Sequence, residues 1–321
     1  MIINFSRGLF GLVGLLISTA IFSAEPYPSK TIKIISPFSA GGGNDLIARA
    51  VASKLGVYFK KSVIVENREG GGGNIGTYYV AKAAPDGYTL LMTAQSLTMR
   101  PALFDKLPFD VSNDFISLGI VGSFPVLFLT NAKADFDNIS TLISYSKAHP
   151  DKLAYGSPGI GTTQHVAMEL FKAETGAKLL HIPYKGASKA VVDTISGVIP
   201  VLVSTPSSVM PFVKSGQLRL LGTGEDKRLA SLNNAPTIGE TVPGYKVNNW
   251  IGLMAPANTP ASIVEKLDRA LVAICRDADF ISELKAAGFE VKSKNANEMS
   301  DQVQSDIKKW TALITMKNIR P

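Results

Sequence analysis

One cysteine and three histidines in 321 residues leave little material for several kinds of chemistry. The lone thiol, Cys275, has no partner for an internal disulfide, and its place beside Ile274 on a helical pattern reads as a buried apolar filler. His149, His165 and His181 are too few and too separated to form a metal-ligand motif. There is no Gly-x-Ser-x-Gly elbow, and no glycine loop is followed by Lys-Ser or Lys-Thr, which excludes the phosphate-binding loop of nucleotide hydrolases. The apolar run Leu9–Ile17 falls short of the roughly 20 residues that cross a bilayer. Lys and Arg outnumber Asp and Glu by 33 to 26, a formal charge of +7. They are scattered, with no run denser than Lys60-Lys61 or Lys308-Lys309, so the one-face cation cluster of a nucleic-acid binder is missing.

What is present is an ordinary globular composition, 45% hydrophobic and 18% charged, at a length where one core usually splits into two domains. The N-terminus carries a secretory pattern: Arg7, the apolar stretch to Ile17, then the small residues Ser18, Ala20, Ser23 and Ala24. Cleavage after Ala24 is expected, with a mature start at Glu25 and no cysteine there for a lipid anchor. The protein is therefore expected in the periplasm.

Short β-like runs then alternate with amphipathic segments, a pattern that predicts parallel α/β sheets. Thr31–Ile35, Ser62–Glu66 and Tyr88–Met92 read as strands, with a helix over Asp45–Leu55. A second block offers strands at Val126–Thr130, Leu153–Tyr155, Leu179–Ile182, Val198–Ser204 and Leu218–Gly222. Trp250–Met254 reads as one more strand and Pro260 as the opening of a long helix. Met299, Val303, Ile307, Trp310 and Ile314 form a core-facing stripe on a last helix.

Three loops between strand and helix are small and polar: Ser39–Asp45, Gly70–Gly76 and Ser157–Thr163. Glycine lets backbone approach a ligand, and the helix that follows presents free N–H groups at its positive end. In open α/β sheets such loops sit at the carboxyl ends of strands, where ligands bind. Gly71-x-Gly73-x-x-Gly76 matches a dinucleotide fingerprint, yet the acidic residue expected about 20 positions on is replaced by Leu91–Gln95, so no nucleotide site is read here. A Ser157–His165–Asp193 triad has nothing in the sequence to assemble it. His165 reads as a capping or cleft-lining residue.

Together these motifs resemble the Bug-type, TctC-like binding proteins of tripartite tricarboxylate transporters. Pro37–Arg49, Val65–Arg68, Gly72–Gly76, Ala84–Leu90, Tyr155–Gly159, His181–Gly186, Ser215–Arg219 and Trp250-x-Gly252 carry the resemblance in family order. It implies a type II periplasmic-binding-protein fold: two α/β domains joined by two crossover segments, with a ligand cleft between them. Domain one would comprise 25–123 and 224–321, and domain two 124–223. The resemblance implies no cofactor, no metal and no catalysis. The implied partners are a small, carboxylate-type ligand and membrane permease subunits, with the protein itself a monomer. A ligand-presenting sensor is the alternative, and a periplasmic hydrolase a more distant one.

The expected ligand-binding set follows. The first loop contributes Phe38, Ser39, Gly41, Gly42 and Asp45, and the second contributes Asn74. Ser96 comes from the region after the third strand. Ser157, Gly159, Gly161, Thr162 and His165 come from the opposing loop, with Tyr184, Lys185 and Asp193 beyond it. Two positions depart from the family: Met99-Arg100-Pro101 stands where an Asn-Pro pair is usual, and Val198–Val201 is apolar where a polar pair is common. Since the three loops contain no Lys or Arg, an anion would be held by backbone N–H groups and hydroxyls. Lys185 is the nearest competing cation. Arg100 reads as a solvated surface residue.

Overall fold

The computed structural model describes residues 27–150 and 152–320, so the expected leader, 1–24, lies outside the described residues. Two sheets form, each flanked by helices. The first is entered through β1 (Ile32–Ser36), α1 (Gly43–Phe59), β2 (Val63–Asn67), α2 (Asn74–Ala81), β3 (Thr89–Ala94), α3 (Ser96–Leu103) and β4 (Phe115–Pro125). The second follows as β5 (Leu127–Asn131), α4 (Ile139–Ala148), β6 (Ala154–Ser157), α5 (Thr163–Thr175), β7 (Leu180–Pro183), α6 (Ala187–Ile195), β8 (Val201–Ser204), α7 (Pro206–Lys214) and β9 (Leu218–Thr223). The chain then returns through β10 (Asn248–Pro256), α8 (Ala261–Ile274), α9 (Ala278–Ala286), β11 (Glu290–Lys294) and α10 (Ala296–Met316).

The strand orders are β11-β4-β10-β3-β1-β2 and β7-β6-β8-β5-β9. Both sheets are mixed, which corrects the all-parallel expectation. β1 runs parallel to β2 and β3, but β10 is antiparallel to β3 and β4. Likewise β5 is antiparallel to β8 and β9. The antiparallel partners are the strands on which the chain leaves and re-enters a sheet, where no βαβ crossover fixes direction. β1 is covered on both faces, and Ile32, Ile34 and Ile35 are all fully buried, which explains its unbroken apolar run. On α1, Ile47, Ala48, Val51 and Leu55 recur at helical spacing and share a core with Ile32 and Ile34.

The two crossovers lie side by side. Only Val126 separates β4 from β5, and the returning chain enters β10 with Asn248 paired to Pro125. Gly224 N–H donates to Val126 O at 2.9 Å, and Val247 N–H donates to Gly224 O at 2.9 Å. A Cβ on Gly224 would stand 2.2 Å from Val247 O, so glycine is required for this close backbone approach. Residues 224–247, expected with domain one, pack on the second sheet. Ile238, Val242, Tyr245 and Val247 share a core with Phe128 and Phe171, and Tyr245 Oη donates to Ala167 O at 2.7 Å.

The stripe on α10 is buried as its spacing predicts, but it serves two cores. Met299 and Val303 pack with the first sheet, whereas Trp310 and Ile314 pack with the second. Among the described residues no helix is long and apolar enough to cross a membrane.

Candidate functional site: a cleft lined by helix N-termini

An inner chamber lies between the two sheets. Phe38, Ser39, Asn44, Ala94, Ser96, Asn249 and Ile251 line it from the first sheet's side. Pro158, Thr163, Gln164, Ala187 and Thr205 face them from the second, and Phe124, beside the crossover, closes the back. Among the described residues, no charged side chain lines this chamber.

Four helices begin here: the residue preceding each of α1, α5, α6 and α7 (Gly42, Thr162, Gly186 and Thr205) is part of the lining. At Gly42, Gly186 and Thr205 no side chain caps the helix. The first-turn N–H groups of α1 and α6 are thus left for whatever enters, at the positive ends of two dipoles. α7 opens on Pro206, which has no N–H to offer. On α5, Thr162 Oγ1 accepts from His165 N–H at 3.3 Å, which uses the third donor of that turn. Thr163 Oγ1 is buried in the lining without a protein partner.

Side chains set these backbones in place. Ser36 Oγ donates to Asn44 Oδ1 at 2.9 Å, and Asn44 Nδ2 donates to Met92 O at 3.2 Å, which ties the start of α1 to β1 and β3. Asp45 staples the loop and is absent from the lining. Its carboxylate accepts from Gly41 N–H at 2.9 Å, Arg49 Nε at 3.0 Å and Asn67 Nδ2 at 2.8 Å. Burial opposes its charge, yet Arg49, the Gly41 N–H and Asn67 outweigh that and hold the carboxyl below its ordinary value.

Under the opposing loop lies a stack of three rings. Ser157 Oγ sits 2.7 Å from His181 Nε2, and the His181 ring stacks between Tyr155 and His165, with centroids at 4.7 and 4.3 Å. His165 Nδ1 accepts from Gly161 N–H at 3.3 Å, so this imidazole shapes the loop from behind. Burial first, and Lys172 next, pull His165 down to about 4. Burial and the neighbouring His165 take His181 down to about 3. Both rings are neutral at pH 7. Asp193 accepts from Tyr184 Oη at 2.7 Å and is absent from the lining. No Ser157–His165–Asp193 triad is assembled: the serine meets His181, and the aspartate serves the tyrosine.

An outer chamber shares Phe38 and Pro158 with the inner one and is also lined by Glu69, Gly70–Asn74, Phe104, Gly159, Ile160, Tyr184 and Lys185. The walls touch. Ser39 Oγ donates to Lys185 O at 2.7 Å, and a Cβ on Gly72 would stand 1.8 Å from Ile160 O. Behind this chamber Arg100 is 2% exposed, which corrects its reading as a solvated surface cation. Its guanidinium donates to Asn74 Oδ1 and, at 2.6 Å, to Gly72 O, while Nε has no partner. Burial lowers it to about 10, so it stays charged at neutral pH.

Of the expected set, Phe38, Ser39, Gly42, Ser96 and Thr162 line the inner chamber, and Phe38, Asn74, Gly159, Tyr184 and Lys185 the outer one. Gly41, Asp45, Ser157, Gly161, His165 and Asp193 line neither. Sequence reasoning missed Asn44, Thr163, Gln164, Gly186, Thr205 and Asn249. Thr205-Pro206 is a helix-start signature that was available to find one of them.

The family model described as the tripartite tricarboxylate transporter family receptor matches residues 47–319. The chain belongs to this family. Protein BugT of Bordetella pertussis is 32% identical to the receptor over 318 residues, covering 97% of each chain. The structure of R. palustris Rpa4515 with adipate superposes with a TM-score of 0.87 at 28% identity, over 91% of this chain and 98% of that one. Periplasmic binding protein BugD gives 0.87 at 29% identity, over 92% and 100%. The receptor thus has the two-domain periplasmic-binding-protein fold and the solute-binding role of this family.

Proposed function

We propose that the receptor captures a small carboxylate in the inner chamber, after export to the periplasm, and passes it to membrane permease subunits of a tripartite tricarboxylate transporter. The observation that carries this reading is the meeting of uncapped helix N-termini from both sides on a chamber with no charged lining. Charge-assisted hydrogen bonds contribute about 1.5–3 kcal/mol each. Four of them give roughly 6–12 kcal/mol gross, against about 8 kcal/mol for micromolar affinity. The groups in these roles are the N–H donors of Gly43, Asn44, Thr163 and Ala187, with the hydroxyls of Ser96, Thr163 and Thr205. A relative of the same fold binds adipate.

The domains in this reading are 27–125 with 248–320, and 127–247, and the protein works as a monomer with its leader removed after Ala24. In this reading the ligand leaves the protein unchanged, which the burial of Ser157 away from both chamber linings supports. Calorimetry of the purified protein with small carboxylic acids and their neutral amides tests the proposal, with NMR of the recovered ligand to check for turnover. An acid that binds at least about tenfold more tightly than its amide and is recovered unchanged supports it. Equal affinity for acid and amide, or conversion of the ligand, refutes it.

A further inference from the structure

The crossovers divide the space between the two sheets unequally. In the first sheet β4 and β10 carry the crossovers, with β3, β1 and β2 on one side of them and β11 alone on the other. The inner chamber and the touching walls stand on the larger side. On the β11 side lies a groove of about 440 Å³ that belongs to neither chamber. Lys285 of α9 and Phe289 stand in one wall, and Glu225 and Leu229, which follow β9, stand in the other. Phe289 packs in the core of the first sheet, whereas Leu229 packs with the second. Phe124 lines both chamber and groove and meets Phe289 edge to face at 5.3 Å, so this pair of rings separates the two spaces. A hinge rotation about the crossovers that opens the chamber in front narrows the groove behind.

Two charges in the groove are left over. Glu225 is half-buried and has no ion-pair partner among the described residues. The cations that act on it are already engaged: Lys292 pairs with Glu290 at 2.9 Å, and Lys246 with Asp226 at 2.8 Å. Burial is the main cause that pushes the Glu225 carboxyl above its ordinary value, and Lys292 and Lys246 oppose that rise. Lys285, exposed on the facing wall, likewise has no acidic partner among the described residues. A carboxylate partly stripped of water gains more from an approaching cation than a solvated one does. Narrowing of the groove brings the wall of Lys285 towards the wall of Glu225.

We infer that Glu225 and Lys285 form an ion pair across the rear groove when the cleft opens, a latch that holds the unliganded receptor open and parts when a ligand closes it. The latch lowers the closed fraction of the free protein, and the apparent affinity for ligand falls by the same factor. It therefore favours release, whatever the ligand is.

The test reads the unliganded protein by electron-spin distance measurement, with labels on Tyr78→Cys of α2 and Lys189→Cys of α6. Both sites are exposed, and neither lines a chamber; Cys275 is buried and stays unlabelled. Glu225→Gln and Lys285→Gln are each expected to raise the closed-to-open ratio about two- to fivefold. Lys285→Arg keeps the wild-type ratio, and Lys285→Glu raises it further by putting repulsion in place of attraction. The double glutamine variant moves no further than either single one, because only one interaction is lost. Sodium chloride at about 0.5 M shrinks the difference between wild type and variants. A ratio left unchanged by either glutamine variant, or effects that multiply in the double variant, overturns the latch. So does a wild type found only closed, or a set of variants in which no closed form appears. All of these outcomes leave the carboxylate reading standing, since calorimetry with acids and amides decides that separately.

Discussion

Closure of the cleft can be blocked at one atom. Gly72 has φ +63°, and a Cβ there would stand 1.8 Å from Ile160 O on the opposite wall, far inside the roughly 3.5 Å at which such atoms rest. Gly72→Ala therefore has two effects. The left-handed backbone costs about 1–2 kcal/mol of stability whether the cleft is open or shut. The clash acts only when the walls meet, and forces them apart by more than an ångström. A ligand then loses the α5 and α6 side of the chamber. Two charge-assisted hydrogen bonds from that side amount to about 3–6 kcal/mol, or on the order of 10²–10⁴-fold in affinity. Gly216→Ala is the control, since its φ of +74° gives the same strain with nothing within 4 Å of the new Cβ. Urea unfolding should show similar losses for both variants. Calorimetry should show weak binding only for Gly72→Ala, and its scattering profile with ligand should stay that of the open form. Equal affinity in the two variants would refute closure through this contact.

The two stacked imidazoles predict acid sensitivity. Both folded-state values, about 4 for His165 and about 3 for His181, lie below 6.5, so the unfolded chain binds more protons as pH falls through 6.5 and stability declines from there towards pH 4. Urea unfolding at pH 7 and pH 5 should differ by about 2–4 kcal/mol, with the partly exposed His181 discounted, and His165→Gln should remove part of the difference. Gly224→Ala, with its Cβ 2.2 Å from Val247 O, should destabilise the crossover by about 1–3 kcal/mol in thermal or urea unfolding. Asp306 accepts from Trp250 Nε1 at 2.7 Å and Gln95 Nε2 at 3.3 Å while buried. Asp306→Ala should cost about 1–3 kcal/mol by orphaning those donors, as read by urea midpoint. Periplasmic protein from a bacterial host should begin near Glu25 by N-terminal sequencing, and an intact Met1 would count against the leader.

The elements that repeat a local pattern were legible in the sequence, and those whose pattern serves a distant neighbour were not. β1 and α1 stand within a few residues of the stretches their apolar spacing marks, because each packs on its own neighbours. β4 went unread: Gly119 and Gly122 interrupt its apolar run, and glycine inside a strand reads as a break. The structure gives those glycines a reason, since a Cβ would lie 2.9 Å from Lys294 O and 2.7 Å from Glu290 O on β11. α3 was obscured by Pro101 within the helix. Arg100 was misread because a lone cation in a sequence carries no sign of its burial; only the loop folding over it reveals that. The glycine loops pointed to the cleft, but half of the lining comes from residues such as Asn249 and Thr205, which reach it through sheet pairing far along the chain.

A chamber without lining charges suits a protein that must release what it binds. Were one buried arginine to hold the ligand by an ion pair, the pair would sit on a single domain and persist when the cleft opened. Here the donors are divided: α1 stands on one side, and α5 and α6 on the other. Opening removes the bonds of one side, and two such bonds amount to about 3–6 kcal/mol, so opening by itself lowers affinity steeply.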